Sequence, residues 1–124
     1  MNNSIKINKK KSITIIIPCY NEYENINELI IELNKATKKI SNIIFTYLFI
    51  DDGSSDQTFQ YIKQHSIKNK KIQALRLSRN FGSHVAISAG IEYTTQSNAV
   101  IIISSDLQEP PELITDFVKK WNEG

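Results

Sequence analysis

Residues 47–56, Tyr-Leu-Phe-Ile-Asp-Asp-Gly-Ser-Ser-Asp, decide the fold of this chain. The apolar and aromatic run that ends at Ile50 is typical of a strand buried on both faces. Two aspartates follow it directly, and Gly53 allows a sharp turn because it has no Cβ. A hydroxyl or carboxylate of residues 54–56 can then cap the next helix. In an open α/β sheet, ligands bind at the carboxyl ends of the strands, so this stretch predicts a ligand site.

Similar apolar segments recur along the chain, and amphipathic segments separate them. We predict strands at 13–17, 45–50, 72–77 and 99–103, and helices at about 24–40, 57–65, 83–94 and 112–121. Pro18 is expected to end the first strand, because it cannot donate a ladder hydrogen bond. The order βαβαβαβα predicts an α/β fold with a parallel, Rossmann-like open sheet built of βαβ units. The polar loops that follow the four strands then gather at one edge.

Composition limits the class of protein. The chain has 124 residues, with 15 Lys+Arg against 13 Asp+Glu. This length suits one domain, and we expect a polar tail at 1–11 followed by a single domain at 12–124. The nearly balanced charge predicts no nucleic-acid partner. No apolar run approaches the roughly 20 residues of a membrane span, and the basic N-terminus lacks the apolar segment of a signal peptide. The single cysteine, Cys19, excludes an internal disulfide and fits a reduced, cytoplasmic setting.

The predicted loops bring polar side chains to one edge of the sheet. These side chains are Tyr20, Glu22, Asp51, Asp52, Asp56, Arg79, Asp106 and Gln108. Crowded carboxylates repel one another unless a cation joins them, and Mg²⁺ or Mn²⁺ prefers oxygen ligands of this kind. Such an ion, together with Arg79, would suit a diphosphate. The alternative is that the aspartates only turn the chain and cap a helix; this is favoured for Asp56, whereas ligand binding is favoured for Asp51 and Asp52.

Other sites fit the sequence less well. It has no GxxxxGK[ST] phosphate loop, and no GxGxxG follows the first strand. His65 and His84 stand alone, and Cys19 has no obvious base beside it, so we expect a buried thiol rather than a nucleophile. Tyr20 can stack on a nucleobase or pack within the fold, and the residues alone leave both open. A phospho-acceptor receiver domain would need an acidic pair after the first strand and a lysine directly after a late strand, and the sequence has neither.

Four segments stand in order at the predicted strand ends: IIPCYNE at 16–22, IDDGSSD at 50–56, SRNFG at 78–82 and SDLQEPPE at 105–112. Together they resemble family 2 glycosyltransferases of the GT-A fold, over about residues 12–121. The branch they resemble most contains dolichyl-phosphate mannose synthase and bacterial polyprenyl-phosphate sugar transferases. The resemblance implies the nucleotide-binding half of a GT-A fold, truncated on its C-terminal side.

The resemblance also implies which residues bind the nucleotide-sugar. They are Pro18, Tyr20, Glu22, Ile50, Asp52, Arg79, Asn80, Ser104 and Asp106. Within this set, Asp52 would accept a hydrogen bond from the base, and Arg79 and Asn80 would face the donor side of the cleft.

A metal ion, Mg²⁺ or Mn²⁺, is implied at Asp106 and Gln108. Ser104 stands where the family's motif usually has its first aspartate. A hydroxyl is a weaker ligand than a carboxylate, so metal binding would be weaker or would depend more on the phosphates of the donor. The ion would act as a Lewis acid that stabilises the leaving nucleoside diphosphate.

We therefore expect a glycosyltransferase fragment that binds a UDP- or GDP-sugar, with UDP favoured, for transfer to a polyprenyl phosphate or a polysaccharide. In the family the general base lies beyond the metal loop. We therefore assign no catalytic residue, and we expect weak nucleotide binding without sugar transfer.

The complete enzyme would be cytoplasmic or on the cytoplasmic face of the membrane. An unpaired sheet edge predicts self-association. The alternative function is a non-catalytic nucleotide-binding α/β module.

Overall fold

The computed structural model describes residues 10–106 and 112–124. Strands and helices alternate along them as β1 (Lys11–Cys19), α1 (Tyr23–Lys38), β2 (Ile43–Asp51), α2 (Thr58–Lys68), β3 (Ile72–Arg76), α3 (Ser83–Tyr93), β4 (Ala99–Ile102) and α4 (Leu113–Glu123). The strands form one parallel sheet in the order β3-β2-β1-β4. The predicted α/β fold and its order of elements are confirmed, and the observed boundaries lie within three residues of the predicted ones.

Strand β1 continues to Cys19, so the prediction that Pro18 ends it is wrong. The backbone N–H and C=O groups of successive residues in a strand face opposite neighbouring strands, so residues two apart face the same neighbour. On the β4 side, the carbonyl of Ile16 accepts the N–H of Ile103 at 3.0 Å. Pro18 lies two residues further on and faces the same side, where the pairing of β1 with β4 has ended at Ile102. Its missing N–H therefore removes no ladder hydrogen bond.

Alternation along the central strands divides the core into two layers. On one face of the sheet, Ile13, Ile15 and Ile17 are fully buried with the apolar faces of α1, α2 and α4. On the other face, Ile16 and Leu48 lie in a smaller cluster with α3. Each fully buried side chain of this size contributes about 1.5–3 kcal/mol. Helices therefore cover both faces, as the chain order predicted.

Helix α3 approaches the sheet closely because small residues face it. Ala86 and Gly90 are both buried there. A Cβ on Gly90 would lie 2.9 Å from Cγ2 of Ile16 and 3.3 Å from Cδ1 of Ile50. This close packing sets the first turn of α3 beside the carboxyl ends of the strands.

The two edge strands of the described sheet are β3 and β4. On β4, Ile102 keeps 43% of its surface exposed. In the described ranges, no helix has both the length and the apolar character needed to cross a bilayer. Residues 1–9 and 107–111 lie outside the described part of the chain, so most of the predicted tail and the loop that carries Gln108 are not tested.

Candidate functional site

The carboxyl ends of the strands surround an open cavity of about 550 Å³. Its wall includes residues from the loops after all four strands. The lining residues that were predicted from the sequence to bind a ligand are Pro18, Tyr20, Glu22, Asp52, Asn80, Ser104 and Asp106. These residues are far apart in sequence, and only the parallel sheet brings them together. The cavity is therefore the candidate site.

The structure does not bring every expected residue to this cavity. Ile50 is fully buried with Ile16 and Leu48 in the cluster beneath α3. The guanidinium of Arg79 lies over the ring of Phe81, 5.2 Å from its centroid. Neither side chain lines the cavity, so their binding roles remain predictions, as does that of Gln108.

Several lining residues were not expected from the sequence: Cys19, Gly82, Ser83, Ile87, Ile102 and Ser105. Ser83 and Ile87 are four residues apart on α3 and therefore share a helix face. That spacing could have identified them once the start of α3 was placed at the site. The alternation of side chains along β4 gives no comparable signal for Ile102.

Asp52 joins the loop after β2 to the loop after β3. Its carboxylate accepts the N–H of Phe81 at 2.8 Å, the N–H of Gly82 at 3.0 Å and the side-chain amide of Asn80 at 3.0 Å. Because α3 begins at Ser83, the carboxylate also lies at the positive end of that helix's dipole. Asp52 thus holds the two residues that precede α3 while it lines the cavity.

Asp51 has a different role, although it is adjacent in sequence. It is fully buried and does not line the cavity. Its Oδ1 accepts hydrogen bonds from the N–H and the hydroxyl of Ser54. Its Oδ2 lies 3.5 Å from Nε of Arg76, without an aligned hydrogen bond. Of the two aspartates that were expected to bind a ligand, only Asp52 reaches the cavity.

Asn21 links the loop after β1 to the loop after β2 through hydrogen bonds. Its backbone is left-handed, with φ 53°, a conformation that asparagine tolerates better than most residues. Its side-chain oxygen accepts the N–H of Ser55 at 2.9 Å and that of Asp56 at 3.3 Å. Its own N–H donates to the hydroxyl of Ser54 at 2.9 Å. No role was predicted for Asn21 from the sequence.

Asp56 caps the start of α2, which confirms the capping interpretation. Its carboxylate accepts the N–H of Thr58 at 2.9 Å and also the Thr58 hydroxyl. The same hydroxyl accepts the N–H of Glu22 at 3.0 Å. The Glu22 carboxylate accepts the side-chain amide of Asn25 at 2.8 Å. The first two loops are therefore joined at two successive residues.

Cys19 is a buried thiol, as expected. Its side chain is 3% exposed, and its Sγ donates to the carbonyl of Ile50 at 3.6 Å. Burial, and next the negative charge of Asp51, raise the pKa of the Cys19 thiol far above its usual value. Since the thiolate is the nucleophilic form, Cys19 is not a nucleophile near neutral pH.

The cavity wall is acidic. Glu22, Asp52 and Asp106 line it, and the described lining residues include no lysine or arginine. An anionic ligand entering this cavity would meet carboxylates of its own charge. A cation that enters with the ligand would offset this repulsion.

Acidic side chains also stand at the start of each helix. Glu24 lies in the first turn of α1, Asp56 bonds to the start of α2, Asp52 to the start of α3, and Asp116 lies in the first turn of α4. Free helix N-termini are ready sites for phosphates. At the starts of α2 and α3, carboxylates of the chain already occupy that favourable field.

The described residues alone do not form a complete metal site. Within 10–106 and 112–124, no three acidic, histidine or cysteine side chains lie close enough to hold an ion. The hydroxyl of Ser104 donates to the Asp106 carboxylate at 2.8 Å. One carboxylate with a nearby hydroxyl fits Mg²⁺ or Mn²⁺ when the ligand's phosphates and water supply the other oxygens. The residues present therefore fit a metal that binds together with an anionic ligand.

The fold and the site define an α/β domain with a parallel sheet and an acidic cavity at the carboxyl ends of its strands. The sequence model of glycosyl transferase family 2 matches residues 14–124, and the chain belongs to that family. The predicted family is thus confirmed, whereas its polyprenyl-phosphate branch remains a prediction.

Relatives extend the comparison. The chain is 38% identical over 111 residues to the uncharacterized glycosyltransferase YkcC of Bacillus subtilis (strain 168), covering 90% of this chain and 34% of that protein. It is 43% identical over 112 residues to the uncharacterized glycosyltransferase sll0501 of Synechocystis sp., covering 90% and 35%. The chain spans about a third of the length of the curated relatives it matches.

A solved structure supports the fold. The mannosyltransferase PcManGT from Pyrobaculum calidifontis, in complex with GDP-Man and Mn²⁺, matches with a TM-score of 0.69 at 19% identity. The match covers 88% of this chain and 31% of that one. It agrees with the parallel sheet described above and with the predicted assignment to the nucleotide-binding half of a GT-A fold.

Proposed function

We propose that this chain is the donor-binding part of a glycosyltransferase and binds a nucleotide-diphospho-sugar together with Mg²⁺ or Mn²⁺. The acidic cavity is the observation that carries the proposal. Its described wall has three carboxylates and no basic side chain, so a diphosphate requires a divalent cation to bind there. That PcManGT was solved with GDP-Man and Mn²⁺ supports the same class of ligand.

The base and ribose bind at the end of the cavity formed by the first two loops. Tyr20 exposes 45% of its surface and offers a ring for stacking on the base. The Glu22 carboxylate accepts hydrogen bonds from ribose hydroxyls. Pro18 completes this wall.

The hydrogen bonds of Asp52 favour uracil. A carboxylate has about four lone-pair sites, and the loop after β3 fills one on Oδ1 and two on Oδ2. One acceptor site remains on Oδ1. It matches the single N3–H of uracil better than the guanine edge, which presents an N–H and an amino group together. A UDP-sugar is therefore the preferred donor.

The diphosphate and metal bind at the loop after β4. Asp106 supplies a carboxylate, to which the hydroxyl of Ser104 donates. Gln108 is the second ligand in this proposal, and Arg79 and Asn80 contact the donor from the loop after β3. When bound, the cation offsets the negative charge that the departing nucleoside diphosphate gains. The chain's own contribution is to hold the base, ribose and diphosphate in one orientation.

The acceptor is a polyprenyl phosphate or a growing polysaccharide. Because the chain spans about a third of its relatives, sugar transfer is proposed for a longer family protein, in the cytoplasm or on the cytoplasmic face of the membrane. A buried, unpaired Cys19 is compatible with a reducing compartment. Self-association through the edge at β4 is proposed on the exposure of Ile102.

Replacing Asp106 by asparagine tests the metal assignment. We expect UDP affinity in the presence of Mn²⁺ to fall by at least about tenfold. Affinity without metal should not fall, because the variant removes a charge that repels the diphosphate. Isothermal titration with UDP at several Mn²⁺ concentrations measures both.

Asp116→Asn is the matched control for Asp106→Asn. It removes the same charge from an exposed residue in the first turn of α4 that does not line the cavity. Equal losses of affinity in the two variants would show that the metal effect is a general effect of charge and would contradict the assignment.

A further inference from the structure

Two consecutive backbone amides in the loop after β1 donate to hydroxyls from the other side of the site. The N–H of Asn21 donates to Oγ of Ser54 at 2.9 Å, and the N–H of Glu22 donates to Oγ1 of Thr58 at 3.0 Å. Each hydroxyl then donates to a carboxylate near it in sequence. We name these chains the two hydroxyl relays: Asn21–Ser54–Asp51 and Glu22–Thr58–Asp56.

The donor and the acceptor of each hydrogen bond in a relay follow from the chemistry of the groups. A hydroxyl has one proton and two lone pairs. Because a carboxylate only accepts, the proton of Ser54 or Thr58 must point to its aspartate, and the lone pairs must face the amide. Hydrogen bonds to ionised groups are roughly twice as strong as neutral ones, and linked bonds polarise one another. Ser54 is 5% exposed and Thr58 is fully buried, so water does not readily replace either hydroxyl.

The relays act on the residues that form the cavity wall. Tyr20 and Glu22 line the cavity, and Asn21 lies between them with its left-handed backbone. The ends of this loop have other anchors, since the carbonyl of Cys19 accepts the N–H of Asp52 and the carbonyl of Glu22 accepts the N–H of Asn25. Ser54 and Thr58 themselves do not line the cavity.

We propose that Ser54 and Thr58 are positioning residues of the donor site. Their hydroxyls hold the backbone of Asn21 and Glu22, and thereby keep Tyr20 and Glu22 on the cavity wall before nucleotide arrives. This inference rests on the proposed donor site. A wall ordered in advance binds more tightly because ordering costs less on binding. Loss of a relay therefore weakens nucleotide affinity in a chain that remains folded.

The test compares Thr58→Val, which keeps the shape but removes the hydroxyl, with Thr58→Ser, which restores it. Ser54→Ala removes the hydroxyl of the other relay. Thr37→Val is the matched control, because Thr37 is 5% exposed and its hydroxyl bonds within α1 and to Tyr47, away from the site. Amide hydrogen exchange by NMR and isothermal titration with UDP and Mn²⁺ are measured at a temperature where every variant is folded.

Thr58→Val is expected to speed exchange at Glu22 and to weaken UDP binding, each by about tenfold, the effect of one hydrogen bond. Ser54→Ala should do the same at Asn21. Thr58→Ser should resemble the unmodified chain, and Thr37→Val should change neither quantity at the site. A purely structural role would lower thermal stability in Thr58→Val and Thr37→Val alike, with UDP affinity unchanged in both.

The proposal is overturned if Thr58→Val binds UDP as tightly as Thr37→Val, or if Thr58→Ser fails to restore binding. The hydrogen-exchange measurement distinguishes failure of the positioning role from failure of the proposed function. If the unmodified chain binds no nucleotide, the donor site is wrong, and the positioning role is rejected with it. Faster exchange at Glu22 in Thr58→Val would then show that the relay exists without that function.

Discussion

The Gly53→Ala variant is expected to lose about 3–5 kcal/mol of folding free energy, from backbone strain and a backbone clash together. Gly53 has φ +73°, where side chains with a Cβ are strained. The added Cβ would lie 2.3 Å from the carbonyl carbon of Arg79 and 2.5 Å from the nitrogen of Asn80. These are backbone atoms and cannot rotate away, so the loop after β3 must move as a unit. That movement would also break the hydrogen bonds of Asp52.

Gly82→Ala is the control that separates strain from clash. Gly82 also has a positive φ, +99°, but a Cβ there would meet no atom within 4 Å. We expect it to cost about 2–3 kcal/mol, from strain alone, because φ 99° with ψ 159° is a region that essentially only glycine adopts. Urea unfolding, followed by circular dichroism and by the fluorescence of the single tryptophan, Trp121, gives both values. A Gly53→Ala variant no less stable than Gly82→Ala would contradict the close approach of the two loops.

The Asp52→Ala variant is expected to lose both stability and nucleotide binding. Removing the carboxylate leaves the N–H groups of Phe81 and Gly82 without their acceptor and releases the loop that leads into α3. We expect about 2–4 kcal/mol of lost stability, since bonds to a charged group are worth more than neutral ones. UDP affinity should fall further than the fraction of unfolded chain explains, because the base loses an acceptor and the wall at Asn80 is released.

Asp52→Asn sharpens this test, because it keeps the shape and one acceptor oxygen but places an amide group against N–H donors. It should remain folded more fully than Asp52→Ala and still bind UDP poorly. Asp116→Ala, at an exposed site, should change stability by less than about 0.5 kcal/mol. UDP binding by Asp52→Asn at the affinity of the unmodified chain would show that the carboxylate does not contact the base.

The order of strands and helices was predictable because its signals are local. The β-branched run in β1 and the three- and four-residue spacing in α1 each lie within one segment. The end of β1 was not predictable in the same way. Whether Pro18 interrupts a ladder depends on how far β4 extends beside it, and this is set by a strand more than 80 residues away.

The location of the candidate site was predictable from the sequence, but most of the contacts within the site were not. Parallel strands bring their following loops together, so Tyr20, Asp52 and Asp106 could be expected at one edge. The separate roles of Asp51 and Asp52 depend on the register of β2 with β3, which sets Asp51 opposite Arg76. The hydroxyl relays depend on a left-handed Asn21, and no pattern in the sequence marks that conformation.

Titration of the purified chain with UDP and with GDP, each with and without Mn²⁺, tests the central claim most directly. The acidic cavity predicts binding that requires the metal, with UDP preferred to GDP because Asp52 retains one acceptor site. Folding is checked on the same sample by circular dichroism. A folded chain that binds neither nucleotide, or binds them equally well without a divalent ion, would contradict the assignment of this cavity as a metal-dependent donor site.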